Sequence, residues 1–387
     1  MKISVFLSIL FFLPAIGSAS IFYVPDDYNT IQGAIDISVS GDTIIVRPGT
    51  YIENIIFSGE TITLRSEYGP DVTTIDGNQA GSVVEFDNCE PFVPELEGFS
   101  LTNGTGRHFG NSYVGGGIFC NESSPSIRLN KIYDNRVPAA DYGGGIYCYS
   151  NSKPIIYGNV IVGNDGGNSG GGIRCENYCD ATISNNVIAG NRAIVGAGIF
   201  SALSKPIISN NTIFSNKASQ EGGGLYCFHT SYPEIFNTIM WDNDAPLGSE
   251  ICIAYKSWGS STLTISSSDI QGGQSSIYVD PKCNLNWGTG MIDDDPRLVD
   301  SANGDFHLTW NSPCRNTGDN SSVTETEDFE GDPRIALSTV DMGADEYYYH
   351  LYHTGDVIPG SSIDVKIVGY PGAIVALALN DTTVDPQ

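Results

Sequence analysis

Apolar residues along this chain come in short bursts of two to four, separated by glycine, asparagine and serine, and the bursts recur at a steady interval. Gly115-Gly116-Gly117-Ile118-Phe119-Cys120 returns as Gly143-Gly144-Gly145-Ile146-Tyr147-Cys148 and Gly170-Gly171-Gly172-Ile173-Arg174-Cys175. It returns again as Gly196-Ala197-Gly198-Ile199-Phe200-Ser201 and Gly222-Gly223-Gly224-Leu225-Tyr226-Cys227, the steps being 28, 27, 26 and 26 residues. An Asn-x-Ile motif follows each one, at Asn130, Asn159, Asn186, Asn211 and Asn237. Within a repeat the apolar pieces, such as Gly198-Ile199-Phe200, Pro206-Ile207-Ile208 and Thr212-Ile213-Phe214, are too short for helices. Strands of about 3–5 residues bounded by turn-formers fit them. Like positions recur only after a whole period, so each strand pairs in parallel with its counterpart in the next repeat, roughly 4.8 Å away. The expected fold is all-β, a parallel β-helix with three short strands per coil and about ten or eleven coils.

That pattern assigns work to most of the regular positions. Ile118, Ile146, Ile173, Ile199 and Leu225 form one inward column, and Ile127, Ile156, Ile183, Ile208 and Ile235 a second. Ile132, Ile161, Ile188, Ile213 and Ile239 form a third. Cys120, Cys148, Cys175, Cys227 and Cys252 are expected inward as small buried hydrophobes, with Ser201 in the gap. The Asn column sits at a turn, where Asn tolerates left-handed backbone and bonds to main chain or to the next Asn. The triple glycines mark bends that need positive φ or close approach between coils.

The ends of the chain differ from its middle. Residues 1–19 read as a signal peptide: Lys2, an apolar core from Val5 to Ile16, then Gly17-Ser18-Ala19. The mature chain is then secreted or held at the cell surface, and no further segment is long and apolar enough to span a membrane. Residues 20–347 form the solenoid, and 348–387 read as a partial β-sandwich-like or sorting module with alternating Ile363, Val365 and Ile367. Ile31, Ala34 and Ile35 share one helical face, so a short helix is expected to close the open end of the stack.

Charge narrows the partners. A formal net charge of −27 excludes nucleic acid, which requires clustered Lys and Arg. It also makes a polyanionic glycan an unnatural ligand unless a local basic patch or a cation intervenes. Between 293 and 346 there are fourteen Asp or Glu against three Arg. Asp293-Asp294-Asp295 and Asp328/Glu330/Asp332 offer carboxylate oxygens suited to calcium, but lack regular loop spacing, so solvated acidic turns are expected there and no metal site is assigned. Among nine cysteines, Cys283 with Cys314 and Cys175 with Cys179 are the plausible bridges.

Thr30-Ile31-Gln32-x-Ala34-Ile35, Gly41-Asp42-Thr43-Ile44 and Pro48-Gly49-Thr50-Tyr51-x-Glu53 resemble the start of right-handed β-helix proteins of the pectate-lyase and pectin-esterase type. That resemblance implies a right-handed coil, and it stops before any counterpart of the esterase catalytic Gln, paired Asp and Arg. The Gly-Gly-x-Ile repeats resemble those of chlamydial polymorphic outer-membrane proteins. The segment from about 291 to 347, with Gly304-Asp305-Phe306-His307-Leu308, Ser312-Pro313-Cys314 and Val340-Asp341-Met342-Gly343-Ala344-Asp345, resembles the closing segment of choice-of-anchor Q proteins.

For function, two features stand out. The residue between inward Ile and inward Cys points outward, giving a column of Phe119, Tyr147, Arg174, Phe200 and Tyr226 suited to stacking on sugar rings, with Arg174 for a carboxylate. The longer loops before the first two triplets carry Arg107, His108, Tyr113, Asp141 and Tyr142 beside it. These ten residues are the expected ligand edge, the alternative being that outward stacks lie under loops and glue the coils. No catalytic set can be placed. The expected function is a non-enzymatic glycan-binding or adhesin-like scaffold without a cofactor. The alternative is a polysaccharide lyase or hydrolase acting in the groove.

Overall fold

A computed structural model describes residues 19–256, 259–348 and two backbone strands, His350–Thr354 and Asp364–Val368. The expected signal peptide lies almost wholly outside the described residues, as does most of the C-terminal unit. Those last two strands pair antiparallel.

The chain winds through three parallel sheets in a fixed order. Among the described residues the first sheet has eleven strands and the second and third nine each, so nine coils contribute to all three. The register is the one the repeats dictate: Ile118 pairs with Ile146, Ile127 with Ile156 and Ile132 with Ile161. These side chains are completely buried and belong to one continuous core. The helix Ile31–Ile35 closes one end with Ile31, Ala34 and Ile35 inward. Glu53 accepts from the amides of Ile31 and Gln32, both at 3.0 Å, so the acidic residue of the Pro48–Glu53 motif caps that helix.

The triple glycines divide their labour. Only the first of each has positive φ, as at Gly143 and Gly170. A side chain on the third would strike the next coil: a Cβ at Gly172 would lie 2.7 Å from the Gly198 carbonyl oxygen.

The Asn ladder is real, but of the expected column only Asn237, with φ 48°, takes the left-handed conformation; Asn130, Asn159, Asn186 and Asn211 do not. The preceding residue does (Leu129, Gly158, Asn185, Asn210), and the side-chain amides of Asn130, Asn159 and Asn186 bond the next coil, Asn159 Nδ2 reaching Asn186 Oδ1 at 3.0 Å. A second ladder, Asn135, Asn164, Asn191, Asn216 and Asn243, stands at the next turn and escaped the sequence reading. Its signal was present: each lies five positions after a first-ladder site.

The fifth repeat is displaced by one residue. Thr238 takes the ladder position expected for Asn237, accepting from Asn211 N at 3.4 Å, and Met240, not Ile239, enters the inward column beside Ile213. Cys252 pairs with Tyr226 and faces outward, while Ile253 continues the cysteine column. All nine cysteines are buried free thiols. The expected Cys283–Cys314 bridge is absent, because Cys283 belongs to the solenoid core and Cys314 lies outside the second sheet beside Asp269.

The acidic segment is only in part a set of solvated turns. It folds back as a strap across the outer face of the second sheet. Phe306, Ala344, Leu298 and Phe329 cover Val160, Val162, Val187, Ala189 and Phe214, while Leu308, Cys314 and Met342 cover Ile239 and Trp241. Asp328, Asp341, Asp345 and Glu346 are buried and hold backbone amides; Asp328 Oδ1 alone accepts from Glu330, Gly331 and Asp332. Asp328, one of the carboxylates chemically suited to calcium, is therefore occupied by main chain, whereas Asp293, Asp294 and Asp295 are exposed as expected. Arg334, also buried, donates to the carbonyls of Asp341, Gly343 and Ala344 at 2.7–3.1 Å.

Candidate functional site

The expected ligand edge has the outward direction the pattern implies, but it is not exposed. Phe119, Tyr147, Arg174, Phe200 and Tyr226 stack in register on the third sheet and retain at most 5 % of their surface. The loop before the first triplet becomes a hairpin, Arg107–Phe109 against Ser112–Val114, and Phe109, Val114, Tyr142 and Tyr149 close over Phe119 and Tyr147. Val195 and Leu247 cover Phe200 and Tyr226. The loops form a short outer ladder of their own, through the bridges Val114–Tyr142, Tyr142–Ser169 and Ser169–Val195. Successive loops can stack only by lying flat along the coils, which places them on the aromatic column.

Arg174 is committed internally. Its guanidinium lies between Tyr142 (4.5 Å) and Phe200 (4.1 Å), and it bonds Glu176 at 2.8 Å and the Ser169 hydroxyl. Tyr147 donates to the same Glu176 carboxylate at 2.6 Å. Burial works to raise Glu176, but Arg174 and the phenol hold it below the usual carboxylate range, while burial pushes the Tyr147 phenol up. Arg107 bonds Glu85 and Asp87 at 3.2 and 2.6 Å. Asp141 is buried in its loop. Of the ten expected residues only His108 and Tyr113, edge to face at 5.2 Å, are exposed.

Open space lies instead beside the strap, on the second sheet. Three grooves of about 700, 540 and 370 Å³ run into one another. The first two share Val162, Gly304 and Phe306, and the last two share Gly163 and Gly190. Their walls combine Phe214, Phe306 and Phe329 with Lys131, Asp134, Arg136, Asp165 and Arg192. The turn position that follows the second sheet carries Asp134, Gly163, Gly190, Ser215 and Asp242 in successive coils, all with positive φ. Two consecutive glycines there remove side chains and open the floor; a Cβ at Gly190 would meet nothing within 4 Å. Periodicity made those turn positions legible, whereas the strap that walls the cleft carries no repeat signal.

A fourth groove of about 350 Å³ lies on the strap itself, around His307, Asp305, Glu330 and Asp345. His307 bonds Glu330 at 2.6 Å and Asp305 at 2.5 Å, and these carboxylates, Glu330 first, push it up to about 10. Among the described residues no group of three or more His, Cys, Asp or Glu is arranged to hold a metal ion, and no helix is long and apolar enough to cross a membrane.

Comparison with known proteins agrees with the coil geometry. A family model described as a right-handed β-helix region matches residues 73–239, and the fold is a right-handed parallel β-helix. No curated protein sequence matches the chain significantly. Similar solved structures include pectate lyase Pel9A, with 13 % identity, a TM-score of 0.40, and coverage of 86 % of this chain and 98 % of that one. Pectin methylesterase from Aspergillus niger shows 14 % identity and a TM-score of 0.37, covering 72 % of this chain and 87 % of its own. Pectin methylesterase PemA from Erwinia chrysanthemi shows 12 % and 0.38, with coverages of 67 % and 80 %.

Proposed function

We propose that this chain is an exported, non-enzymatic glycan-binding scaffold whose binding surface is the cleft between the second sheet and the strap. One observation carries the reading: three grooves adjoin through shared lining residues, their walls combining aromatic rings with hydrogen-bonding charged groups, the pairing that suits sugar rings and their hydroxyls. Export rests on the apolar N-terminal stretch and its small-residue end. The aromatic column of the third sheet has a different part in this reading, gluing coils to their covering loops.

The test is retardation of the secreted chain on affinity gels and a glycan array, with Phe306→Ala and Tyr147→Ala as separate variants. Retention by at least one polysaccharide, weakened in Phe306→Ala and unchanged in Tyr147→Ala at a temperature where both are folded, supports the cleft. Retention lost only with Tyr147→Ala would return the site to the third sheet. Release of reducing ends or unsaturated products from a retained polymer would replace the scaffold with a hydrolase or lyase.

A further inference from the structure

Resting on the glycan-binding reading, we infer that the part of the cleft between Asp134, Arg136, Asp165 and Arg192 is a subsite for a neutral, hydroxyl-rich sugar unit, not for an acidic one. The residues arrive there by register. Arg136, Asp165, Arg192, Lys217 and Asp244 follow one another at a single position of five successive coils, linked by parallel bridges and by the strand pair Arg192–Val195 with Lys217–Glu221. Signs along that line compensate: Arg136 bonds Asp165 at 3.4 Å and Lys217 bonds Asp244 at 3.1 Å.

The Arg192 side chain stands between these two pairs, exposed, with no hydrogen-bond or ion-pair partner among the described residues. Asp134, across the same groove, is likewise exposed and without one. Between them lies the bare floor of Gly163 and Gly190. A guanidinium that only donates and a carboxylate that only accepts line one groove, and a sugar hydroxyl does both, so hydroxyls of a bound sugar unit satisfy the two groups together.

The charge balance decides the ligand class. Two carboxylates and two guanidinium groups line this groove and sum to no net charge, on a chain with a formal net charge of −27. A uronate or sulfate entering would gain Arg192 but meet Asp134, Asp165 and the field of the whole molecule; a neutral ring meets no such opposition. The adjoining groove supplies an apolar wall, with half-buried Phe214 packed edge to face at 5.7 Å against the largely buried Phe306, for the ring's hydrophobic side.

The experiment uses the full secreted chain and the variants Arg192→Ala, Asp134→Asn and Phe306→Ala on gels containing neutral polymers (xylan, galactomannan, β-glucan) or acidic ones (polygalacturonate, alginate, a sulfated galactan). The expected result is retention by a neutral polymer, changing less than about twofold between about 0.05 and 0.5 M NaCl. It should weaken by about tenfold or more in both Arg192→Ala and Asp134→Asn. Both side chains are exposed, Asp134 at a turn and Arg192 at the start of a strand, so an unchanged melting temperature separates lost binding from lost fold. Retention by acidic polymers alone, falling steeply with salt, overturns this inference and leaves the glycan-binding reading standing. So does retention that Phe306→Ala weakens and the two charge variants leave untouched. Absence of retention on every polymer overturns both.

Discussion

Gly172 and Gly190 look alike in the sequence and answer to different physics. At Gly172 the backbone is ordinary, but a methyl group would press on the Gly198 carbonyl oxygen at 2.7 Å and on Ile188 at 2.9 Å. At Gly190 the space is empty and only φ, at 63°, resists a side chain. Gly172→Ala is therefore expected to cost about 2–3 kcal/mol by forcing two coils apart, and Gly190→Ala about 1 kcal/mol through backbone strain alone. Chemical denaturation of both variants measures the difference, and equal costs would refute the close-approach account. Asn191 makes a related case. Its amide donates to Ile161 O at 2.9 Å and to Asn216 Oδ1 at 3.0 Å, and its oxygen accepts from Asn164 N at 2.9 Å. Asn191→Ala strands several buried polar atoms and should lower stability by about 2–3 kcal/mol, whereas exposed Asn111→Ala, at a residue without positive φ, should be nearly silent by the same measurement.

The strap is the element with no counterpart in the repeats. Its attachment uses the residues at which the fifth repeat slips: Asn237 Nδ2 donates to Asp319 O at 3.0 Å, its Oδ1 accepts from Asp319 N at 2.7 Å, and Ile239 lies beneath Met342 and Leu308. A one-residue shift thus turns an inward Ile and a ladder Asn into an outer docking site. Arg334 holds the strap's own shape, and Arg334→Met would leave three buried carbonyls undonated and remove the cation that faces Asp328, Asp341 and Glu346. A loss of about 3–5 kcal/mol is expected, confined to the strap. Limited proteolysis should then cut within 291–347 while the β-sheet circular dichroism of the solenoid persists; simultaneous loss of both would mean that the strap is integral to the coil.

For the whole molecule, buried carboxyl groups set the dependence on pH. Burial pushes Glu250 up to about 8 and Asp269, Asp345 and Glu346 each to about 7. Glu250 occupies the third glycine position of its repeat and ends the second Asn ladder, bonding Asn243 Nδ2 at 2.6 Å. A carboxyl whose native pKa exceeds its unfolded value binds its proton more tightly when folded. Its stabilisation is complete below the unfolded pKa and disappears as pH rises through 7 to 8. His307, raised to about 10, adds a loss of the same sign above its unfolded pKa of about 6.5. Glu176, held low, acts oppositely but only as pH falls below the ordinary carboxylate range. The melting temperature should fall by several degrees from about pH 5.5 to about pH 8.5, and Glu250→Gln should flatten part of that slope. A rising melting temperature over the same range would sink the account.

The sequence determined the solenoid by itself, because the information is local and repeated. Ile118, Ile146 and Ile173 meet their counterparts whatever else the chain does, since a period of 26–28 residues leaves one register that buries them. It also determined which residues of the third sheet point outward. Tertiary structure alone decided whether outward meant exposed. The Gly104–Val114 loop and its successors lie down over Phe119, Tyr147 and Arg174, and the acidic segment lies down over Val160, Val187 and Ile239. Both coverings are contacts between residues far apart in sequence and outside the periodicity. Strand alternation fixes the direction of a side chain but says nothing about what a non-repeating segment will bring against it. The cleft beside the strap exists for the same reason, one wall periodic and foreseeable, the other supplied by a segment whose place was settled only by the apolar surface it had to cover.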